Sequence, residues 1–372
     1  MNYFNQTVNR KQEHALKWML YPDDVIPLWI ADSDYPASPA IHQRLSNYAE
    51  QTVLGYQLAE HTPELNSAAL RWLKRQYDWQ VDPDWLVWVP GVMVAVNACV
   101  SVFGAQGIAV QTPNYPPILN LGNTHDCTCR TIQTMGEMPD WQLDLTHLED
   151  TLKQMMGGLL VITNPMNPCG VVYTKDTLET IADLCQRYDI TICSDEVHAD
   201  LILDQSQHVP AASLDSLKDR SVTIMSASKT FNVAGLATAF AVIPNETMRK
   251  KFYHHTVQQQ FWVNPFGMQA TIAAYTESDD WYEAQREHLR AQQSRVAEAT
   301  SAIAGLKYSP GSATYLAWID ATELATDSPH QYFLDRKVGM ADGADFGIQK
   351  YLRLNFACPE YMLVKALERM AS

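Results

Sequence analysis

Through the middle of this chain, short unbroken apolar runs alternate with segments whose apolar positions recur every three to four residues. Leu86-Val87-Trp88-Val89 is the first run; Pro90-Gly91 ends it, and an apolar helical stretch to about Phe103 follows. Ile108-Ala109-Val110, Leu159-Leu160-Val161-Ile162, Ile190-Thr191-Ile192-Cys193, Val222-Thr223-Ile224-Met225 and Ala239-Phe240-Ala241-Val242-Ile243 are further runs of strand length. Leu178, Ile181, Ala182 and Cys185 fall at i, i+3, i+4 and i+7. That spacing predicts a helix over 174–188, with Thr174 as N-cap and Asp176 in the first turn. Continuous apolar strands separated by helices predict an α/β fold: a mostly parallel sheet covered on both faces.

The pattern changes after Asp279. A long polar helical stretch runs through Arg286 to Ala304. Tyr315-Leu316-Ala317-Trp318-Ile319 and Tyr351-Leu352-Arg353-Leu354-Asn355 then read as strands, and a final helix closes the chain. This predicts a smaller α+β domain. The first fifty residues carry Pro22, Pro27, Pro36 and Pro39 and predict irregular chain wrapping the other parts. The expected division is an N-terminal segment over 1–50, a large domain over 51–278 and a small domain over 279–372. A chain of 372 residues, 47% hydrophobic, is long enough for two such units.

Charge and cysteine usage narrow the partners. A net charge of −15 argues against a nucleic-acid partner, because phosphate backbones are bound by Lys and Arg. Seven cysteines without regular spacing argue against a disulfide framework and for a reducing compartment. Cys127 and Cys129 alone are too few to read as a zinc site. No basic, then apolar, N-terminal segment is present, so no signal peptide is expected. No apolar run approaches the about 20 residues of a membrane span. The expected location is the cytoplasm.

Candidate chemistry clusters after the strands. Ser226-Ala227-Ser228-Lys229 follows the run Ser221-Val222-Thr223-Ile224-Met225, which places a lysine at a strand end between hydroxyls that can hold an anion. An enzyme that binds a phosphorylated aldehyde through an imine needs such a lysine, a phosphate cup and a partner for the ring nitrogen. Pyridoxal 5′-phosphate is the cofactor these residues suit. Asn114-Tyr115, Asn164-Pro165-Met166-Asn167-Pro168 and Ser194-Asp195-Glu196-Val197-His198 follow three other strands. In open α/β sheets, ligands bind outside the carboxyl ends of the strands.

Each residue type has a task and an alternative. Asp195 can keep a pyridine nitrogen protonated, or merely cap a helix. Asn167 can donate to a ring oxygen, or merely make a turn. Tyr115 can stack on a ring, or pack in the core. The N–H groups of Val92 and Met93, opening a helix after Gly91, suit a phosphate, with Ser226 and Ser228 completing the cup. Arg353 between two leucines either pairs with an internal carboxylate or captures a substrate carboxylate. Lys229, Asp195 and Tyr115 are the catalytic candidates.

Together these motifs resemble the fold-type I pyridoxal-phosphate enzymes of the class I/II aminotransferase family, from Trp29-Ile30-Ala31-Asp32-Ser33-Asp34-Tyr35-Pro36 to Leu352-Arg353-Leu354-Asn355. Asp195-Glu196-Val197-His198, Ser228-Lys229-Thr230-Phe231-Asn232 and Thr314-Tyr315-Leu316-Ala317-Trp318 resemble its cystathionine β-lyase (cysteine C–S lyase) branch. The resemblance implies a seven-stranded, mostly parallel sheet in the large domain. It also implies Lys229 as the imine lysine, Asp195 at the ring nitrogen, Asn167 at the ring oxygen and Arg353 at the substrate α-carboxylate. Tyr56 resembles the tyrosine that reaches a neighbouring subunit's phosphate, which implies a homodimer. Two positions depart from aspartate-type aminotransferases: His198 replaces a cofactor-contacting tyrosine, and Ala237 replaces a phosphate arginine. Both departures are shared by the lyase branch. The segment Gly343 to Lys350 is shorter than the glycine-rich loop usual there. The implied activity is elimination from S-substituted cysteines; an aminotransferase and a regulatory binding protein are the alternatives.

Overall fold

The computed structural model describes residues 3–6, 10–51, 53–136 and 141–372. Its strands begin with β1 (Ile26–Pro27), β2 (Leu86–Val89), β3 (Ile108–Thr112), β4 (Cys129–Met135) and β5 (Gln142–Leu143). Next come β6 (Leu159–Thr163), β7 (Thr191–Asp195), β8 (Ser221–Met225) and β9 (Ala239–Val242). The last are β10 (Leu316–Asp320), β11 (Val338–Gly339), β12 (Ala341–Asp342) and β13 (Tyr351–Asn355).

The expected strands pair into one sheet in the order β2-β9-β8-β7-β6-β3-β4-β5. Neighbours from β8 to β4 are parallel. β9 is antiparallel to both its neighbours, so β2 runs the same way as β8. The sheet therefore has eight strands rather than seven. The extra one is β5, two residues long, at the sheet's edge and paired antiparallel to only the end of β4, whose remainder lies open. β4 carries no apolar run because only Ile132 within it is fully buried. An edge strand half open to solvent needs no apolar run.

Both faces of the sheet are covered. Helix Val92–Phe103 lies over one face, where Ala95, Val96 and Cys99 pack with Val110, Val161 and Ile224. Helix Lys175–Arg187 covers the other with Leu178, Ile181 and Cys185, the periodic stripe of the sequence. Each fully buried aliphatic side chain there contributes about 1.5–3 kcal/mol. Thr174 caps this helix by accepting from Thr177 N at 3.2 Å.

The first fifty residues are less irregular than expected. Residues Pro39–Ala49 form a helix, capped by Ser38, which accepts from Ala40 N. Pro39 stands at the first helical position, where its missing N–H costs nothing, so this proline starts a helix rather than breaking one. The segment before it binds to the C-terminal part. β1 pairs with β11, and Asn355 Nδ2 donates to Ile30 O at 2.6 Å and Asp32 O at 2.8 Å. The second sheet, in the order β10-β13-β12, is antiparallel and packs with helices Asp279–Ser301 and Glu360–Met370. Among the described residues, no helix is long and apolar enough to cross a membrane.

Candidate active site

The carboxyl ends of β2, β3, β6, β7 and β8 share one edge of the large sheet. A cavity of about 360 Å3 opens there, lined by residues that follow each of these strands. Gly91, Val92 and Met93 follow β2; Tyr115 follows β3; Asn167 follows β6; Asp195 ends β7; Ser228 and Lys229 follow β8. His198 and Arg353 also line it. Tyr56 and Ser226 do not.

Gly91 has φ +123°, a conformation L side chains rarely adopt, and a Cβ there would meet open space. It leads into helix Val92–Phe103 without any side-chain cap on the first N–H groups. An uncapped helix start at a cavity wall is an anion site in waiting. Ser228 N donates to Ser226 Oγ at 3.0 Å, and Ser226 Oγ donates to Thr238 O at 2.6 Å. Ser226 thus shapes the turn, while Ser228 faces the cavity. Ala237 takes a left-handed conformation at the cavity wall.

Lys229 Nζ donates to Ala31 O at 2.7 Å. Burial lowers its pKa, as does Arg353, against the opposing pull of Asp32 and Asp195. A lysine held this way is more readily a neutral nucleophile and base than a surface lysine. Asp195 is buried, which pushes its carboxyl up to about 6 even though Val197 N donates to Oδ1 at 3.2 Å and Lys229 lies nearby. No helix follows Asp195, so capping does not explain it. Its charge is one that a cation in the cavity would stabilise. His198 is buried and its pKa falls to about 3, through desolvation and then the positive charges of Lys229 and Arg353. It is neutral at physiological pH, and its Nδ1 has no partner.

Arg353 is buried on β13, which lowers its pKa to about 10. It donates to Asn167 Oδ1 at 3.0 Å and to Trp29 O at 2.6 Å, and lies 4.5 Å from the ring centre of Phe346. Its two acceptors are an amide and a carbonyl, and its Nε is buried without a partner. Of its two readings from sequence, an internal ion pair is therefore not the one these contacts support. A guanidinium with a free donor at a cavity wall suits a carboxylate ligand. Unpartnered Arg353 Nε and His198 Nδ1, an uncapped helix start and a carboxylate lacking a cation together fit pyridoxal 5′-phosphate. Phosphate would sit at Val92 and Met93, ring nitrogen at Asp195, and aldehyde at Lys229.

Tyr56 lies elsewhere, 91% exposed, edge-to-face with Trp262 at 5.1 Å. Phe261 and Trp262 line a separate hollow with Leu58 and Tyr253. Sequence reasoning missed the contribution of the N-terminal segment. Leu16, Ile30, Ala31 and Asp32 line the cavity, and the carbonyls of Trp29 and Ala31 fix Arg353 and Lys229. Backbone carbonyls carry no residue signature, although Asn355, which ties this segment down, stood in a motif already singled out.

Residues 23–370 match the sequence profile of the family described as aminotransferase class I and II. The chain is 28% identical to the cystathionine β-lyase PatB of Bacillus subtilis, over 99% of this chain and 98% of that protein. Among solved structures it is similar to OvoB, with 36% identity, TM-score 0.93, and coverage of 99% and 97% of the two chains. It is also similar to a pyridoxal-phosphate-bound putative aminotransferase from Clostridium difficile, with 30% identity, TM-score 0.94, and coverage of 99% and 98%.

Proposed function

The chain belongs to the aminotransferase class I and II family, and from that premise we propose that it is a pyridoxal-phosphate-dependent carbon–sulfur β-lyase. The carrying observation is the half-buried Lys229, its pKa lowered, sharing one cavity with Asp195 and Arg353. The similarity to a cystathionine β-lyase over nearly the whole length favours elimination over transamination. In the net reaction, R–S–CH2–CH(NH3+)–COO− and water give R–SH, pyruvate and ammonium.

When bound, the cofactor supplies an aldehyde for the substrate amine and an electron-poor ring that accepts charge from the α-carbon. Arg353 holds the substrate carboxylate with its free donor and fixes the direction of the α-C–H bond. Positioning of this kind can lower a barrier by several kcal/mol, on the order of 7 for ideal alignment. Lys229 Nζ, whose pKa burial lowers, takes the α-proton and is then the nearest acid for the departing sulfur. Asp195 would keep the ring nitrogen protonated by charge pairing. Asn167 Nδ2 would donate to the ring oxygen, and Tyr115 would cover one ring face. The N–H groups of Val92 and Met93, with Ser228, would hold the phosphate without an arginine.

The working unit is a homodimer in a reducing, cytoplasmic setting. Exposed Val53, Leu54, Tyr56 and Trp262 support a second copy docking there, with Tyr56 reaching its partner's site. Seven unpaired cysteines support the compartment. The purified, cofactor-loaded chain should release pyruvate from an S-alkyl-cysteine such as S-ethyl-cysteine without any added keto acid. Absence of pyruvate there, with amino-group transfer to a keto acid instead, would reject the lyase reading. Sedimentation as a single copy would reject the dimer.

A further inference from the structure

The cavity carries one cationic group for the cofactor, Lys229, and one for the α-carboxylate, Arg353. The N-terminal segment adds Leu16, Ile30 and Asp32 to the cavity wall. Arg10 stands behind Asp32, held by the carboxylates of Asp32 and Asp34. NH1 reaches Asp32 Oδ1 at 3.0 Å, Ser33 O at 2.8 Å and Asp34 Oδ1 at 3.2 Å, and NH2 reaches Asp32 Oδ2 at 3.0 Å. An anionic substituent would meet the Asp32 carboxylate there.

Leu16 is not loosely placed. It opens the short helix Leu16–Met19, and the next residue, Lys17, is fully buried. Lys17 Nζ donates to Asp34 Oδ2 at 2.5 Å and Asp32 O at 2.9 Å. Trp18 Nε1 donates to Asp34 Oδ1 at 2.8 Å, and Trp29 Nε1 to Lys17 O at 3.0 Å. Four polar contacts thus pin a helix that presents a 64% exposed leucine at the cavity mouth. Leu16 therefore presents an apolar side chain to whatever occupies the cavity mouth.

We propose that Leu16 is a specificity-determining residue, and that the site selects cysteine thioethers with neutral, apolar sulfur substituents over those ending in a carboxylate. The inference rests on the lyase reading for its chemistry, but the selection itself is a matter of binding. A matched apolar contact is worth about 10- to 200-fold in discrimination.

The test compares S-benzyl-cysteine with S-carboxymethyl-cysteine on the cofactor-loaded enzyme. It reads kcat/KM from pyruvate and, in parallel, binding constants from the cofactor's absorbance change. Wild type should favour the benzyl compound by about tenfold or more in both readouts. Leu16→Arg should narrow that ratio by about tenfold, by adding a cation and removing the apolar wall. Met19→Arg, on the same helix but outside the cavity, should leave it unchanged, which controls for charge and for damage to the helix. Equal or reversed preference in wild type, or an unchanged ratio in Leu16→Arg, overturns the proposal. If no pyruvate forms from either compound, the lyase reading fails, while the binding ratio still decides the selection.

Discussion

Arg353 and Asn167, 186 positions apart in sequence, meet through a 3.0 Å hydrogen bond from NH1 to Oδ1. The contact uses the oxygen end of the amide, so Nδ2 is the only donor Asn167 can offer the cavity. One residue thereby links the carboxylate-binding group to the group facing the cofactor ring. Asn167→Ala breaks both links, one of them to a charged partner worth about 1.5–3 kcal/mol. The expected loss in kcat/KM is about 10- to 100-fold, carried partly by KM because Arg353 loses a restraint. Steady-state kinetics on a thioether substrate measure it, and a change under about twofold would remove Asn167 from the site.

Lys229→Ala should abolish the imine and with it turnover. Borohydride treatment of wild type should bleach the yellow protein and leave the cofactor's mass on the peptide containing residue 229. Peptide mapping that finds the mass elsewhere, or a chain colourless after reconstitution, would undo the assignment of that lysine.

The sheet was legible because its strands are buried on both faces and so read as apolar runs, as Ile192 and Val222 illustrate. The cavity was legible because each strand end carries polar residues that converge on one edge of the sheet. β4 was not legible, since an edge strand lacks the apolar signature. The helix over 39–49 was hidden because Pro36 and Pro39 look like breakers out of context. The part played by the N-terminal segment was hidden for another reason. Its carbonyls at Trp29 and Ala31 act through backbone atoms, and tertiary contacts, β1 with β11 and Asn355 with Ile30 and Asp32, bring them to Arg353 and Lys229. Phe346, whose ring backs Arg353, sits in the shortened loop that sequence marked as unusual but could not place.

Asp195 gives a pH dependence. Its pKa rises from 3.8 in the open chain to about 6 in the fold, so the folded chain holds that proton more tightly. Stability from this group is therefore greatest below about pH 4 and falls as pH rises to about 6, then stays low. The difference corresponds to about 3 kcal/mol at most. Cofactor-free Asp195→Asn should be more stable than wild type near neutral pH by up to that amount, with the gain vanishing toward about pH 4. The loaded variant should lose activity by about 100-fold or more, as when other charge-stabilising groups are removed. Urea titrations across pH check the first part. A variant less stable than wild type at neutral pH would show that the carboxylate is satisfied within the fold and is not waiting for a cation.

The Lys17–Asp34 pair ties stability to the site. Both side chains are buried, at 0% and 3% exposure, and the ammonium also holds Asp32 O. Lys17→Met leaves Asp34 in the interior with Arg10 and Trp18 on one oxygen and nothing on the other. Breaking one partner of a buried pair costs about 3–5 kcal/mol, whereas replacing both is often near neutral. Lys17→Met should therefore lower the melting temperature markedly, and Lys17→Met with Asp34→Asn should recover much of the loss. Activity should not recover in parallel. The same segment carries the carbonyls that fix Lys229 and Arg353, and without the ion pair its position depends on weaker contacts. Calorimetry on the two variants gives the first comparison and kcat/KM the second. If the double variant regained full activity along with its stability, the pair would serve the fold alone, and the segment over the cavity would be held in place by β1 and Asn355.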